Sequence, residues 1–334
     1  MSDLAAGTPV HRLVGPFAAA LSGPPDLLAS IGAELPRPTS ASSSSAHRVI
    51  PVTLAHGAPE PEGAPIVEHA YAAISRNGRG DLVVVAAGVS ARLDGSGIAL
   101  RVAPDADRVL VRLVLDMTWP LVLARAGFYH VHAAAVRDRH GRGWLLAGEA
   151  NVGKSTSALS LASAGWEYAA DDAVYLTNDD AEISAHGWAE PVRLSARSAR
   201  ALGVAREHDP TDLKAPAVLS GPLAARRVES VRVDRLLFPA LGPTTTHRWL
   251  AASGALSRLV RAAPCITVQA GPARDYLATL ARAASLPAAE LVLGRELLGE
   301  PGRLAEYLGE IDDHHTGSID TLVGVPISSS VRFR

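Results

Sequence analysis

Short apolar runs broken by turn signals dominate the first third of the chain. RVIPVTL, DLVVVAAG and GIALRVA, between His47 and Pro104, read as strands, with Asn77-Gly78 and Asp94-Gly95 as turns. They predict a small antiparallel sheet. From Asp107 to Ala126 the period lengthens: Val109, Val111, Leu113, Val114 and Met117 can share one buried face of a helix that Pro120 would kink. FYHVHAAAV then reads as a strand, and RDRHGRG as a hairpin-like turn into the apolar run GWLLAG. An alanine-rich helical run spans Thr156 to Ala164. GWEYAADDAVYLT reads as two strands hinged at a pair of aspartates, and VRVDRLLFPAL and APCITVQA as further strands. Residues Ala273 to Ile311 read as mostly helical, and no internal repeat is found.

These patterns divide the chain into three parts. Residues 1–46 form an N-terminal appendage with one short helix around Leu27 to Leu35, closed by the serine-rich linker TSASSSSA. Residues 47–106 form a β-rich subdomain. Residues 107–334 form an α/β domain in which strands and helices alternate. The length of 334 residues allows one large or two ordinary domains.

The stretch GEANVGKS, Gly148 to Ser155, changes the picture from fold to chemistry. It lies between the strand-like run Trp144 to Ala147 and the helix that follows, which is the context that gives the G-x-x-x-x-G-K-[ST] pattern its meaning. Its glycines allow the tight turn that aims backbone N–H groups at phosphate oxygens, and the helix adds the positive end of its dipole. Gly148, Asn151, Val152, Gly153, Lys154, Ser155 and Thr156 are the candidate cradle. Lys154 would reach the β- and γ-phosphates, and the Ser155 hydroxyl would hold Mg²⁺. Asn151 stands where many such loops carry glycine; asparagine tolerates left-handed backbone better than other non-glycine residues.

Composition sharpens this. Of 32 lysines and arginines, only Lys154 and Lys214 are lysine. A net charge of -2 leaves no electrostatic footprint for nucleic acid. The lone Cys265 fits a reducing cytosol and reads as a small buried hydrophobe. The longest apolar candidate, 109–124, is broken by Arg112, Asp116 and Pro120, so no membrane span is expected. Asp3 and the lack of an early basic cluster argue against a signal peptide, and a cytoplasmic protein is expected.

Asp171 and Asp172 lie seventeen and eighteen positions beyond Lys154, a spacing that fits one loop, one helix and one strand. The acids would return beside the phosphate site, one to accept a proton from an attacking hydroxyl and the other to fix Mg²⁺. His130 and His132, two apart on a strand, would share a face. No third metal ligand stands at matching spacing, so each reads as a packed histidine by default.

The order H-A-A-A-V, short turn, L-L-A-G-x-x-x-x-G-K-S-T, helix, G-W-x-x-x-x-D-D-x-V-x-L resembles the HPr kinase/phosphorylase family. It is closer still to the HPr-kinase-related proteins found with small-molecule and peptide biosynthesis genes. The resemblance covers about residues 128–178. It implies a P-loop central sheet flanked by helices, akin to phosphoenolpyruvate carboxykinase. It also implies Asp171 as the catalytic aspartate, Asp172 as its neighbour near the metal, Lys154 and Ser155 as the phosphate-loop pair, and His132 as the active-site histidine preceding the loop. The second signature that HPr kinases carry for phosphorolysis is not found in this chain. The related proteins tend to have a lysine or arginine near Lys214, which is a candidate for nucleotide or phosphoryl contact, with Arg193 a weaker one. Asp312, Asp313, His314 and His315 read as a solvated loop.

The expected activity is ATP-dependent phosphoryl transfer to a hydroxyl, either a serine of a peptide or a small-molecule alcohol, with Asp171 as general base. A biosynthetic precursor, such as that of a lasso-type peptide, is suggested by the family neighbourhood alone. The alternative is a nucleotide-gated binding or regulatory protein without phosphotransfer. The family's habit of symmetric assembly leaves a homo-oligomer open.

Overall fold

The structure is a computed structural model. It describes residues 9–14, 17–35, 49–60, 63–95, 97–179, 182–187, 192–207, 215–268, 272–294, 297 and 301–323. Within these residues the chain is a mixed α/β protein with four sheets.

The first sheet has eight strands: β1 (Val10–Val14), β2 (Phe17–Ser22), β3 (Val49–His56), β4 (Pro65–His69), β5 (Ala72–Arg76), β6 (Leu82–Ala86), β7 (Val89–Leu93) and β8 (Ile98–Val102), in the order β1-β2-β3-β8-β7-β6-β5-β4. It is not purely antiparallel as expected, because β3 pairs in parallel with both β2 and β8. Nor do the described residues of the 1–46 segment stand apart. β2 extends the sheet, and α1 (Pro25–Glu34) buries Leu27 and Ile31 in the same core. Asn77 organises the predicted β5–β6 turn by accepting from the backbone N–H of Arg79 and Asp81 at 3.0 Å each.

The helix α2 (Arg108–Arg125) begins at Asp107, whose carboxylate accepts from the Val109 N–H at 2.9 Å, a standard N-terminal cap. Its apolar face lies on the eight-stranded sheet, with Val111, Val114, Leu115, Trp119, Leu121 and Leu123 buried. The expected boundary at 106/107 therefore falls before a helix that shares the first core. Val109, expected on the buried face, is 71 % exposed because the stripe starts at Val111.

A second layer pair positions the candidate site. Six strands, β10 (Ala133–Arg137), β11 (Gly143–Ala147), β12 (Glu167–Ala170), β18 (Arg235–Leu241), β19 (Thr246–Trp249) and β20 (Ala288–Leu293), order as β12-β10-β11-β18-β20-β19. Four more, β9 (Tyr129–Val131), β13 (Val174–Asp179), β14 (Glu182–Gly187) and β17 (Ser230–Arg232), order as β17-β14-β13-β9. Side chains of β10 and β11 alternate between two cores: Ala133, Ala135, Leu145 and Ala147 in one, Ala134, Val136, Trp144 and Leu146 in the other. Burial on both faces explains why these strands read as continuous apolar runs rather than alternating ones. The second of those cores is closed by α3 (Lys154–Ser163) and α8 (Pro301–Val323). The first is shared with the four-stranded sheet, α6 (Ala252–Arg261) and α7 (Ala273–Ala284). The remaining elements are the two-stranded sheet of β15 (Arg193–Leu194) and β16 (Ala215–Pro216), and the short helices α4 (Ala196–Leu202) and α5 (Pro222–Ala225).

Three chain segments cross from one of these two sheets to the other: at His132 between β9 and β10, at Asp171 to Ala173 between β12 and β13, and at Val233 and Asp234 between β17 and β18. FYHVHAAAV and VRVDRLLFPAL, each expected as one strand, are thus two strands apiece. Residues Pro264–Thr267 of APCITVQA form a 3-10 turn instead of a strand, with proline at its start. AAELVL, inside a segment expected as helix, is β20.

Asp312 and Asp313 lie in α8, not in a loop. Asp312 is fully buried and receives Arg142 Nη1 at 2.6 Å and the Arg235 guanidinium. The apparent charge run is on that side an internal anchor, which fastens α8 to the β10–β11 turn and to β18. No helix among the described residues is long and apolar enough to cross a membrane.

Candidate functional site

The phosphate-loop sequence leaves β11 at Ala147 and enters α3 at Lys154, with Gly153 as the helix N-cap. Gly148, Asn151 and Gly153 have φ of 156°, 65° and 101°. Left-handed residues placed in such a loop curl the backbone so that successive N–H groups face one concavity. Asn151 takes the left-handed conformation its residue type tolerates. At Gly153 the left-handed backbone favours glycine, and a Cβ there would also crowd Leu293 Cδ1 at 3.2 Å and Leu241 Cδ2 at 3.3 Å.

Lys154 is buried, and its Nζ donates to the carbonyls of Gly148 at 2.8 Å and Glu149 at 2.6 Å. The ammonium is thereby held inside the loop. Ser155 stands half-buried in the first turn of α3, and the Thr156 hydroxyl donates to Ser198 Oγ at 2.9 Å. Ser198 in turn accepts from Ser195 Oγ at 3.0 Å, which ties the first turn of α3 to α4.

Topology brings the other candidates to the same edge. β10 runs antiparallel to both β11 and β12, pairing Ala133 with Ala147 and Ala135 with Ala170. The exit of β11 into the loop, the entry to β10 at His132 and the exit of β12 at Asp171 therefore lie together, outside the carboxyl ends of β11 and β12. That is where open α/β sheets place ligands.

The contacts are continuous. The Gly148 N–H reaches the His132 carbonyl at 3.4 Å, and the His132 N–H donates to Ala262 O at 2.7 Å. His132 Nδ1 lies 3.0 Å from Asp172 Oδ1 and 3.1 Å from the Asp172 carbonyl oxygen. Asp172 is the second non-glycine residue with positive φ, at 69°, and its carboxylate is exposed while Asp171 is half-buried. Tyr168, one strand residue pair before the acids, is buried, and burial, with a smaller push from Asp171, raises its hydroxyl well above the ordinary phenol pKa.

His130 has a different fate from His132. It stays in β9, its ring packs on Tyr175 with centroids 5.5 Å apart, and its buried Nδ1 has no hydrogen-bond partner among the described residues. Desolvation, with the neighbouring His132 next in effect, pushes its pKa down to about 4. The expectation that the two histidines share a strand face fails because β9 ends at Val131 and His132 belongs to the crossing. No group of three or more His, Cys, Asp or Glu side chains that could hold a metal occurs among the described residues.

Arg193 is exposed on β15 beside α4. Lys214 lies outside the described residues. Sequence reading missed two neighbours of the loop, Ser198 and Leu241. Ser198 had a signal in Ser195-x-x-Ser198, where the Ser195 side chain caps α4. Leu241 had none, since only the strand order places the end of β18 beside the loop.

No protein-family model matches the chain, and no curated protein matches it. Among solved structures, the Hpr(Ser) kinase/phosphatase from Coxiella burnetii is similar at 14% sequence identity, over 57% of this chain and 97% of that one, with a TM-score of 0.30.

Proposed function

We propose that the chain is a kinase that transfers the γ-phosphoryl group of ATP to a hydroxyl. The observation that carries this reading is the continuous set of contacts from Lys154 through Gly148 and His132 to Asp172, with Asp171 adjoining. A phosphate cradle and a pair of acids share one edge of one sheet. A mere nucleotide binder has no need of the second acid.

The donor set fits a nucleotide phosphate. Lys154 would exchange the carbonyls of Gly148 and Glu149 for β- and γ-phosphate oxygens, and the loop N–H groups would take the remaining acceptors. Ser155 and the exposed Asp172 carboxylate would hold Mg²⁺, which when bound neutralises phosphate charge. Asp171 would accept the proton as the acceptor oxygen bonds to the γ-phosphorus and the bond to the β-phosphate oxygen breaks, releasing ADP. His132, held at Nδ1 by Asp172, would keep that acid in place. Arg193 and Lys214 are proposed as outer contacts to nucleotide or the transferred group.

The acceptor is proposed to be a peptide serine or a small-molecule alcohol, in a cytoplasmic setting. Incubation with Mg²⁺, ATP and a panel of serine, threonine, sugars and peptides encoded beside the gene, read by intact mass, tests this. A product that disappears in Asp171→Asn supports the kinase. Nucleotide binding with no product from any acceptor favours a nucleotide-gated binding protein.

A further inference from the structure

Leu241 closes β18, the strand next to β11 on the side away from β10 and β12. It is 56 % exposed although the residues before it in the strand are largely buried. Its tip abuts the N-cap of the phosphate-loop helix, as the 3.3 Å approach to a Cβ on Gly153 shows. The backbone beneath it is pinned: Gly242 N–H donates to Leu293 O at 3.2 Å, and Gly294 N–H to Thr245 Oγ1 at 3.2 Å. Leu293, on the other side of Gly153, is buried. The result is a firm apolar shelf on one flank of the loop.

The opposite flank carries His132, Asp171 and Asp172. A nucleotide bound across the loop has two unlike ends, a charged triphosphate terminus and an apolar base with its ribose. The acids and the histidine belong with the reacting terminus, which leaves the base for the β18 side. We propose that Leu241 is the seat of the nucleobase, contacting its face and adjoining ribose, so that base recognition here rests on apolar contact. This deepens the kinase reading and rests on the loop binding nucleotide at all.

The test separates the base from the phosphates. Binding of ATP and of inorganic tripolyphosphate to the full chain with Mg²⁺ is compared in wild type, Leu241→Ser and Leu241→Met. Loss of an apolar contact of this size predicts ATP weakened about tenfold by Leu241→Ser. Tripolyphosphate should be unaffected, and Leu241→Met should restore ATP binding. Equal weakening of both ligands would overturn the proposal by showing that Leu241 acts through the loop. Unchanged ATP binding would overturn it by placing the base elsewhere. A wild-type chain that binds neither ligand would overturn the nucleotide reading itself.

Discussion

His132 Nδ1 faces two acceptors of one residue, the Oδ1 of Asp172 at 3.0 Å and its carbonyl oxygen at 3.1 Å. A nitrogen placed between two acceptors serves as the donor, so Nδ1 carries a proton toward Asp172. The left-handed backbone of Asp172, φ 69°, is what lets its carboxylate and carbonyl converge on one atom. The histidine backbone is held as well, by Ala262 and Gly148. The pair joins two sheet crossings, and through Gly148 it joins the phosphate loop.

His132→Ala should therefore lower phosphoryl transfer by about 10- to 100-fold, the range for a residue that orients a metal-holding carboxylate. Nucleotide affinity should stay within about threefold, because no phosphate donor is lost. Steady-state rates beside calorimetric ATP binding check this, and a parallel fall in affinity would place His132 in the loop's structure instead.

Asn151 offers a backbone test. Asn151→Gly should keep ATP binding, since glycine adopts φ 65° without strain. Asn151→Val forces a β-branched residue into the same conformation, at about 1–2 kcal/mol, and should weaken binding about tenfold. Equal affinities for the two variants would mean the loop is shaped otherwise when ligand is bound.

The anchor of α8 should show in stability. Asp312→Ala leaves the Arg142 and Arg235 guanidiniums facing an empty site and should cost about 3–5 kcal/mol in urea unfolding. Asp313, whose side chain is 80 % exposed, lies 3.9 Å from Arg142 and should cost less than about 1 kcal/mol on removal. Similar losses at both positions would contradict the burial difference.

His130 predicts an acid dependence. Its folded pKa of about 4 lies below the ordinary 6.5, so between those values the unfolded chain binds a proton that the folded chain does not. Stability is then intact above about pH 6.5 and falls with acidification, by about 2 kcal/mol between pH 7 and pH 5. His186, also lowered by burial, contributes with the same sign. His130→Phe should remove most of this difference in urea titrations at the two pH values. An unchanged difference would assign it to other groups.

Local structure was legible in the sequence where spacing and neighbours agree. The strand–loop–helix around Gly148 to Ser155, the hinge at Asp171 and Asp172, and the short helix after Pro24 all follow from residues adjacent in the chain. Sheet membership was not. FYHVHAAAV reads as one run because the apolar side chains of both its halves are buried, and nothing in it marks the change of partner at His132. β20 was hidden because AAELVL suits a helix as well as a strand until β18 and β19 flank it. Asp312 looked solvated because its arginine partners lie 170 and 77 residues away in sequence.

The most direct test of the central claim is phosphoryl transfer by wild type and Asp171→Asn, measured by intact mass on the acceptor panel with ATP and Mg²⁺. The account predicts a product 80 Da heavier per transferred group, about 80 Da being the mass of HPO₃. It predicts that Asp171→Asn binds ATP as wild type does and forms no product. Undiminished transfer by Asp171→Asn would contradict the assignment of the base, and with it the reading of the acid pair.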